Sequence, residues 1–337
     1  RIPGKSILNS GDDELGFKKE VVHSSKNLAN ISLNEFLNQS MQKQVSKESE
    51  YWLKPNKKFF LAGLKFLFSD NSSKSTHYAY FGRSKRKVLT NYLYDLFRVR
   101  NRKKWLDENA IHKIESKKPF IFFPLHLEQE MSLLIQAPFH TNQLEVIKNL
   151  VKSLPMGYEL YVKEHPLMYA RSWRKISIYK EIMNLPNVKL IHPSVAANEL
   201  LEKCALVVTI SGTTSLDAGF FGKFAIVLSK RPDIPILPHM HQLNNFDELP
   251  AVIKKLVNSK SDKNDYFHYI DFLKKNSFDI DFPGLVKSYG DSLFYSSFLT
   301  DMEISIGSMK ELLAKIKDKN DLIAKKFIEK INDNSVT

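Results

Sequence analysis

Between residues 119 and 228, short apolar runs alternate with helical patterns, and this alternation constrains the fold more than any other feature of the chain. The runs are 120–124 (FIFFP), 158–162 (YELYV), 188–191, 205–210 (ALVVTI) and 224–228. Each has the length of a buried strand, and helices are predicted over 142–154, 173–183, 196–203 and 215–221. In the first of these Leu144, Ile147, Leu150 and Val151 recur on one face. Strands spaced this way by helices make βαβ units and a doubly wound parallel sheet. Ligands of such sheets bind beyond the carboxyl ends of the strands, where the polar loops of this sequence fall.

The flanking regions have a different texture. Residues 1–50 are polar and read as loops with one or two short helices. Residues 52–68 hold Phe59, Phe60, Leu61, Leu64, Phe66, Leu67 and Phe68, a segment expected to be helical and buried. Between Arg83 and Lys104 lie nine Lys/Arg residues and a single acid, Asp95, on a predicted helix with a basic flank. After a loop over 232–241 a helix is predicted over 248–257, and residues 264–300 are aromatic-rich. A final amphipathic helix over 308–331 carries Met309, Leu312, Leu313, Ile316, Ile323, Phe327 and Ile331 beside many lysines. The expected domains are a mainly helical, basic 1–117, an α/β domain over 118–260 and C-terminal helices over 261–337.

A single cysteine, Cys204, rules out a disulfide framework and a multi-cysteine metal site; beside an apolar run it reads as a buried thiol. No apolar run approaches the roughly 18 residues of a membrane span, so a soluble chain is expected, and the single cysteine fits a cytoplasmic one, with peripheral attachment to the inner face of the cell membrane open to it. It opens on Arg1 without a secretory pattern, which suggests a fragment or a processed chain. The net charge of +13 favours anionic partners: nucleotide phosphates, an anionic membrane, an acidic glycan or nucleic acid.

Candidate chemistry concentrates after the predicted strands. Lys163-Glu164-His165-Pro166 follows the second, where Lys and His can neutralise a phosphate and Pro fixes the chain; a plain polar loop is the alternative. Ser211-Gly212-Thr213-Thr214-Ser215 precedes a helix, and glycine with N-terminal N–H groups and hydroxyls makes an anion site, or simply a cap. Asp217, one turn on, could accept from ribose hydroxyls or stabilise the helix dipole. His126 and Glu128, after the first strand, are acid–base candidates, or part of a solvated loop with Glu130. The sequence has neither a Walker ending nor a GxGxxG after the first strand. His239 and His241 with Asp233 lack a convincing third metal ligand, and Asp279-Ile280-Asp281 lies outside the predicted crevice, so no metal site is expected.

Together these segments resemble the capsule polysaccharide biosynthesis family of GT-B-type glycosyltransferases. The matching pieces are Pro124 to Glu130, Asn142-Gln143, Leu160 to Pro166, and Thr209 to Ala218 with Gly222-Lys223, spread over about 118–257. The resemblance implies a Rossmann-like domain holding a nucleotide-sugar donor, CMP- or UDP-linked, with no cofactor and no metal. His165-Pro166 resembles the His-Pro motif of CMP-Kdo and sialic acid transferases, which contacts the nucleotide phosphate. The turn from Ser211 to Ser215 would play a similar part. Many relatives have Glu-Ala where this chain has Asp217-Ala218, and residues 1–118 show no clear N-terminal Rossmann domain.

The reading that follows is sugar transfer to a glycan or lipid-linked acceptor, with the basic flank or the last helix touching an anionic membrane. CDP-glycerol or CDP-ribitol phosphotransfer is a second reading, since those enzymes share Lys-x-His-Pro, although the turn here is Ile-Ser-Gly-Thr-Thr. A basic protein binding RNA or membrane is the non-enzymatic one. No nucleic acid is expected, because Tyr92, Tyr94 and Trp105 are spaced like core residues.

Overall fold

Strand alternation becomes a six-stranded sheet of order β3-β2-β1-β4-β5-β6 with every neighbouring pair parallel. The computed structural model describes residues 57–68, 85–115, 117–128, 130–169, 174–229, 236–294 and 304–334. The expectations for residues 1–50 and for Asp233 lie outside them. In chain order the elements are α1 (Lys57–Phe68), α2 (Lys85–Asn109), β1 (Phe120–Pro124), α3 (Met131–Leu134), α4 (Gln143–Lys152), β2 (Glu159–Lys163), α5 (Pro166–Tyr169) and α6 (Ile176–Asn184). Then come β3 (Val188–Ile191), α7 (Ala197–Lys203), β4 (Leu206–Thr209), α8 (Thr214–Phe220), β5 (Ala225–Val227), β6 (Met240–Gln242) and α9 (Leu249–Leu256). The C-terminal helices are α10 (Asn264–Lys275), α11 (Phe282–Leu293), α12 (Ile306–Lys315) and α13 (Lys317–Asn334).

The strand order is that of a doubly wound sheet, so the chain reverses direction across the sheet between β1 and β4. Alternate residues of β1 supply two cores. Ile121 and Phe123 join Leu160, Val162 and Val208 under α4, α6 and α9, through Ile147, Leu150, Ile182 and Ile253. Phe120 and Phe122 join Tyr161, Val207 and Ala225 under α7 and α8, through Leu200, Leu201 and Ala218. Phe122 and Phe123 are fully buried, each contributing about 1.5–3 kcal/mol of transfer free energy. Cys204 is fully buried among them, and burial pushes its thiol up to about 12. The five expected strands are all present, within a residue or two of their expected ends. The sixth, β6, falls where a loop was expected.

Among the described residues the chain divides into two compact units. One spans Asp95–Phe272 and contains the sheet. Its helical segment at the end of α2 lays Arg102, Leu106 and Ala110, four residues apart, into the body of the unit, where Leu106 and Ala110 pack with Tyr179 and Leu190. The other holds residues 57–68, 85–94 and the chain from Leu273 onward. There Leu285 and Leu293 of α11 cluster with Leu312 and Ile316.

Several expectations for the flanks are corrected. Leu61, Leu64, Leu67 and Phe68 of α1 are exposed. The apolar residues of that helix spread over most of its circumference, so no single face could bury them all. The tail is two helices, because Ile316 turns the chain between α12 and α13. Arg102, expected on an exposed basic flank, is buried, and one guanidinium nitrogen donates to the carbonyls of Met168 (2.6 Å) and Tyr169 (3.4 Å). Trp105 stacks on Tyr179 as a core residue should, whereas Tyr94 is exposed. No described helix is long and apolar enough to cross a membrane.

Candidate functional site

The carboxyl ends of β2, β1 and β4 are neighbours, and the loops leaving them bring most of the predicted residues to one edge of the sheet. The β1 loop is held first by its backbone. Gln143, at the start of α4, accepts from the N–H of His126 (2.7 Å) and donates to its carbonyl (3.1 Å). The buried His126 ring then points toward β4: its Nε2 accepts from the Ser211 N–H at 3.3 Å and lies 3.4 Å from Thr209 Oγ1. A methyl group at Gly212 would sit 2.7 Å from Thr209 Oγ1 and 3.2 Å from His126 Nε2, so the close approach of turn and ring requires glycine.

The turn after β4 is fixed by short local bonds. Gly212 N–H donates to Thr209 Oγ1 (3.1 Å), Ser211 Oγ to the Ser132 carbonyl (3.1 Å), and Ser215 Oγ to the Gly212 carbonyl (2.9 Å). Thr213 caps α8 without a side-chain hydrogen bond. Among the described residues, the N–H groups and hydroxyls of Thr213 and Thr214 have no hydrogen-bond partner. Two adjacent donors and two hydroxyls thus sit together at one backbone turn, an arrangement that can hold an anion. Asp217 lies on α8, partly buried, and burial pushes its carboxyl up to about 6.

At the end of β2, Lys163 is buried, and among the described residues its Nζ has one hydrogen-bond contact, 3.5 Å from the Glu164 carbonyl. Burial lowers its pKa to about 8, with Glu164 pulling the other way. His165 is half-buried, and its Nδ1 accepts from the Leu167 N–H at 3.2 Å. That bond puts the ring proton on Nε2, which becomes a donor. Pro166 opens α5, where its missing N–H costs nothing.

Glu164 takes a different direction from its neighbours. It is fully buried and accepts from the His165 N–H, the Tyr179 hydroxyl and the Arg174 guanidinium. Arg174, itself buried, also donates to Glu128 Oε1 (2.9 Å) and to the His126 carbonyl (2.9 Å). Burial alone would lower the Arg174 pKa, but Glu164, Tyr179 and Glu128 outweigh it and keep the guanidinium charged. The Tyr179 hydroxyl is pushed far up by burial and by Glu164. Glu128, a third exposed, is thus ion-paired, with its second oxygen unpartnered among the described residues.

Sequence reasoning missed Arg174, placed inside a helix that in fact begins at Ile176. It also missed His192, which follows β3 and precedes Pro193 just as His165 follows β2. The repeated His-Pro after a strand was the available signal. His192 Nδ1 accepts from the Ser194 N–H (3.2 Å), leaving Nε2 to donate to Asp107 Oδ1 (3.0 Å), which Tyr169 also reaches (2.8 Å). The pair pins α2 to the sheet.

The remaining acids and histidines have defined local contacts. Asp281 accepts from the Gly284 N–H and caps α11, while Ile280 is buried. His239 is buried against Gly219 with Nε2 donating to the Ser215 carbonyl (2.9 Å). Among the described residues no group of three or more His, Cys, Asp or Glu could hold a metal ion.

Comparison with curated proteins finds no match. Among solved structures the chain is similar to the β-Kdo 2,7 transferase of Thermosulfurimonas dismutans KpsC, at 15% identity and TM-score 0.32 over 51% of this chain and 52% of that one. The β-Kdo 2,4 transferase of the same KpsC gives 15% identity and TM-score 0.33 over 56% of each chain. A UDP co-structure of S. aureus MnaA gives 15% and 0.31 over 45% and 40%. The chain thus spans about half or less of the length of these structures. Residues 33–230, more than half of the chain, match the family described as capsule polysaccharide biosynthesis protein, and the chain belongs to that family.

Proposed function

We propose that the chain is a GT-B-type glycosyltransferase that holds a nucleotide-activated sugar, CMP- or UDP-linked, and passes the sugar to a glycan or lipid-linked acceptor in surface polysaccharide synthesis. Residues 118–260 form the donor-binding domain in this reading. The observation that carries it is a buried ammonium, Lys163, with one weak contact among the described residues, together with the N–H groups and hydroxyls of Thr213 and Thr214, which have no partner among those residues. They lie at the ends of β2 and β4, which flank β1 and are therefore about 10 Å apart. That span fits a nucleotide phosphate with its sugar at the switch point of the sheet.

Each candidate residue has a role in this reading. Lys163, His165 Nε2–H and the Thr213–Thr214 donors stabilise charge that develops on the departing phosphate, each such donor contributing about 2.7–4 kcal/mol. Ser211, Gly212 and Ser215 shape the turn, Glu164 orients His165, and Asp217 meets the ribose. Of the two acid–base candidates Glu128 is the better placed, since His126 uses Nε2 on the Ser211 N–H. These cationic and N–H groups supply the countercharge, so EDTA is expected to leave transfer intact. The exposed Arg98 and Arg100 are the basic residues that suit an anionic membrane, testable by co-sedimentation with anionic vesicles at low and high salt.

The deciding experiment is calorimetric titration with CMP, UDP, CDP and GDP. Saturable binding of a cytidine or uridine nucleotide is expected. No binding by any of the four would remove the donor site from this edge of the sheet.

A further inference from the structure

The proposed phosphate site has two halves on different loops, His165 after β2 and the Ser211–Thr214 turn after β4. A continuous series of hydrogen bonds runs between them. Glu164 accepts the His165 N–H; Arg174 joins Glu164 to the carbonyl of His126; and the His126 ring accepts the Ser211 N–H. We infer that Arg174 is a positioning residue that sets the register between the two halves of the donor site, an inference that rests on the nucleotide reading above.

Arg174 lies in the loop before α6, outside every strand and helix, so the packed cores are complete without it. All three of its guanidinium nitrogens are used, on partners from both the β1 and the β2 loops. Only a planar fork can serve three acceptors in those directions; an ammonium at the same place could not. Its side chain is 1% exposed and its partner Glu164 0%. A buried ion pair is weak as a source of stability compared with apolar packing of equal volume. What this one does supply is geometry, because it ties the backbone of the β1 loop at His126 to the Glu164 side chain of the β2 loop. The Gln143 side chain holds His126 from the other flank, so the relay has little freedom to slip.

The test uses Arg174→Lys, which retains the charge beside Glu164, with CMP and UDP as probes in calorimetry. The folded variant, checked by circular dichroism and Tm, should bind at least tenfold more weakly than the parent. In a His165→Ala background the same change should cost less than twofold, because the half it positions is already gone. In the ligand-free protein, ¹⁵N spectra of the His165 imidazole should lose the single Nε2–H tautomer. Unchanged affinity, additive losses in the cycle, or an unchanged tautomer would each overturn the inference. If Arg174→Lys does not fold, Glu164→Gln takes its place in the same cycle. If the parent protein binds neither probe, the nucleotide reading fails by itself, and the tautomer in ligand-free protein still decides the role of Arg174.

Discussion

The loops after β1 and β2 and the turn after β4 share one edge of the sheet but treat their polar groups in opposite ways. Around Arg174 the donors and acceptors of two loops consume one another, with Glu164 taking bonds from three different residues. At Thr213 and Thr214 the donors are left open among the described residues. A largely saturated region holds its shape and, apart from the open Glu128 oxygen, has little to offer a ligand, whereas an open turn is stable only because its neighbours are held. The difference separates residues that build the site from those that would touch what binds there, although Glu164 and His165 are adjacent in sequence.

The strongest way to break this comparison is to remove one member from each side. Glu164→Ala leaves the Arg174 charge buried with one partner fewer and should destabilise the fold by about 3–5 kcal/mol in urea unfolding. Thr213→Ala and Thr214→Ala should each stay within about 0.5 kcal/mol of the parent. Comparable losses on both sides would mean that the open donors have structural partners after all.

The second effect concerns acid stability on the β4 side. Burial holds His239 at about 4, below its ordinary value of 6.5, so the unfolded chain takes up the proton first. Its contribution is full above pH 6.5 and is lost as pH falls through 4, up to about 3 kcal/mol from a shift of this size. Asp217, raised to about 6, acts with the opposite sign and adds stability as pH falls below 6. Stability curves should therefore lose acid sensitivity in His239→Met and gain it in Asp217→Asn. Parallel curves for the parent and both variants would contradict the buried placement of the two groups.

A smaller effect separates contact from support in binding. His165→Ala should weaken nucleotide binding at least tenfold, about 1.4 kcal/mol, with Tm nearly unchanged. Thr213→Val, which keeps the backbone N–H and loses one hydroxyl, should cost only a few-fold. A His165→Ala variant with parental affinity would make His165 a surface histidine, and the β2 loop would then be support alone.

The two sides also differed in how far the sequence disclosed them. Strands such as Phe120–Pro124 are visible because a parallel strand buried on both faces is a continuous apolar run between breaking residues. β6 is hidden because Met240-His241-Gln242 is a three-residue edge strand, only partly buried and carrying polar side chains. The break at Ile316 is hidden for another reason: that residue is itself buried in the helical cluster, so the apolar stripe runs on through the turn. The open turn was legible, since Ser-Gly-Thr-Thr before a helix is a local signal. The saturated side was not, because Arg174 meets Glu128 and His126 at 46 and 48 positions' separation, and no local pattern announces such partners.

The smallest effect tests whether an anion bridges the two sides at all. Lys163 is held at about 8 by burial, and a bound phosphate would favour its ammonium form. Above pH 8 the free protein would have to take up a proton in order to bind, so affinity must fall as pH rises. The weakening should approach tenfold between pH 7 and 9, since each unit of pKa difference is about 1.36 kcal/mol. A cytosine nucleotide is the suitable probe, because neither its base nor its phosphate titrates in this range. The Thr213 and Thr214 donors do not titrate there either, so their share of the affinity is constant. Lys163→Gln should bind more weakly at pH 7 but show a flat profile, converging on the parent at pH 9. Calorimetry in two buffers of different ionisation enthalpy would detect the proton uptake directly in the parent and its absence in the variant. A parent whose affinity is level from pH 7 to 9, with no proton uptake, would leave Lys163 as a buried amine that meets no anion, and the ligand would then belong to the β4 turn alone.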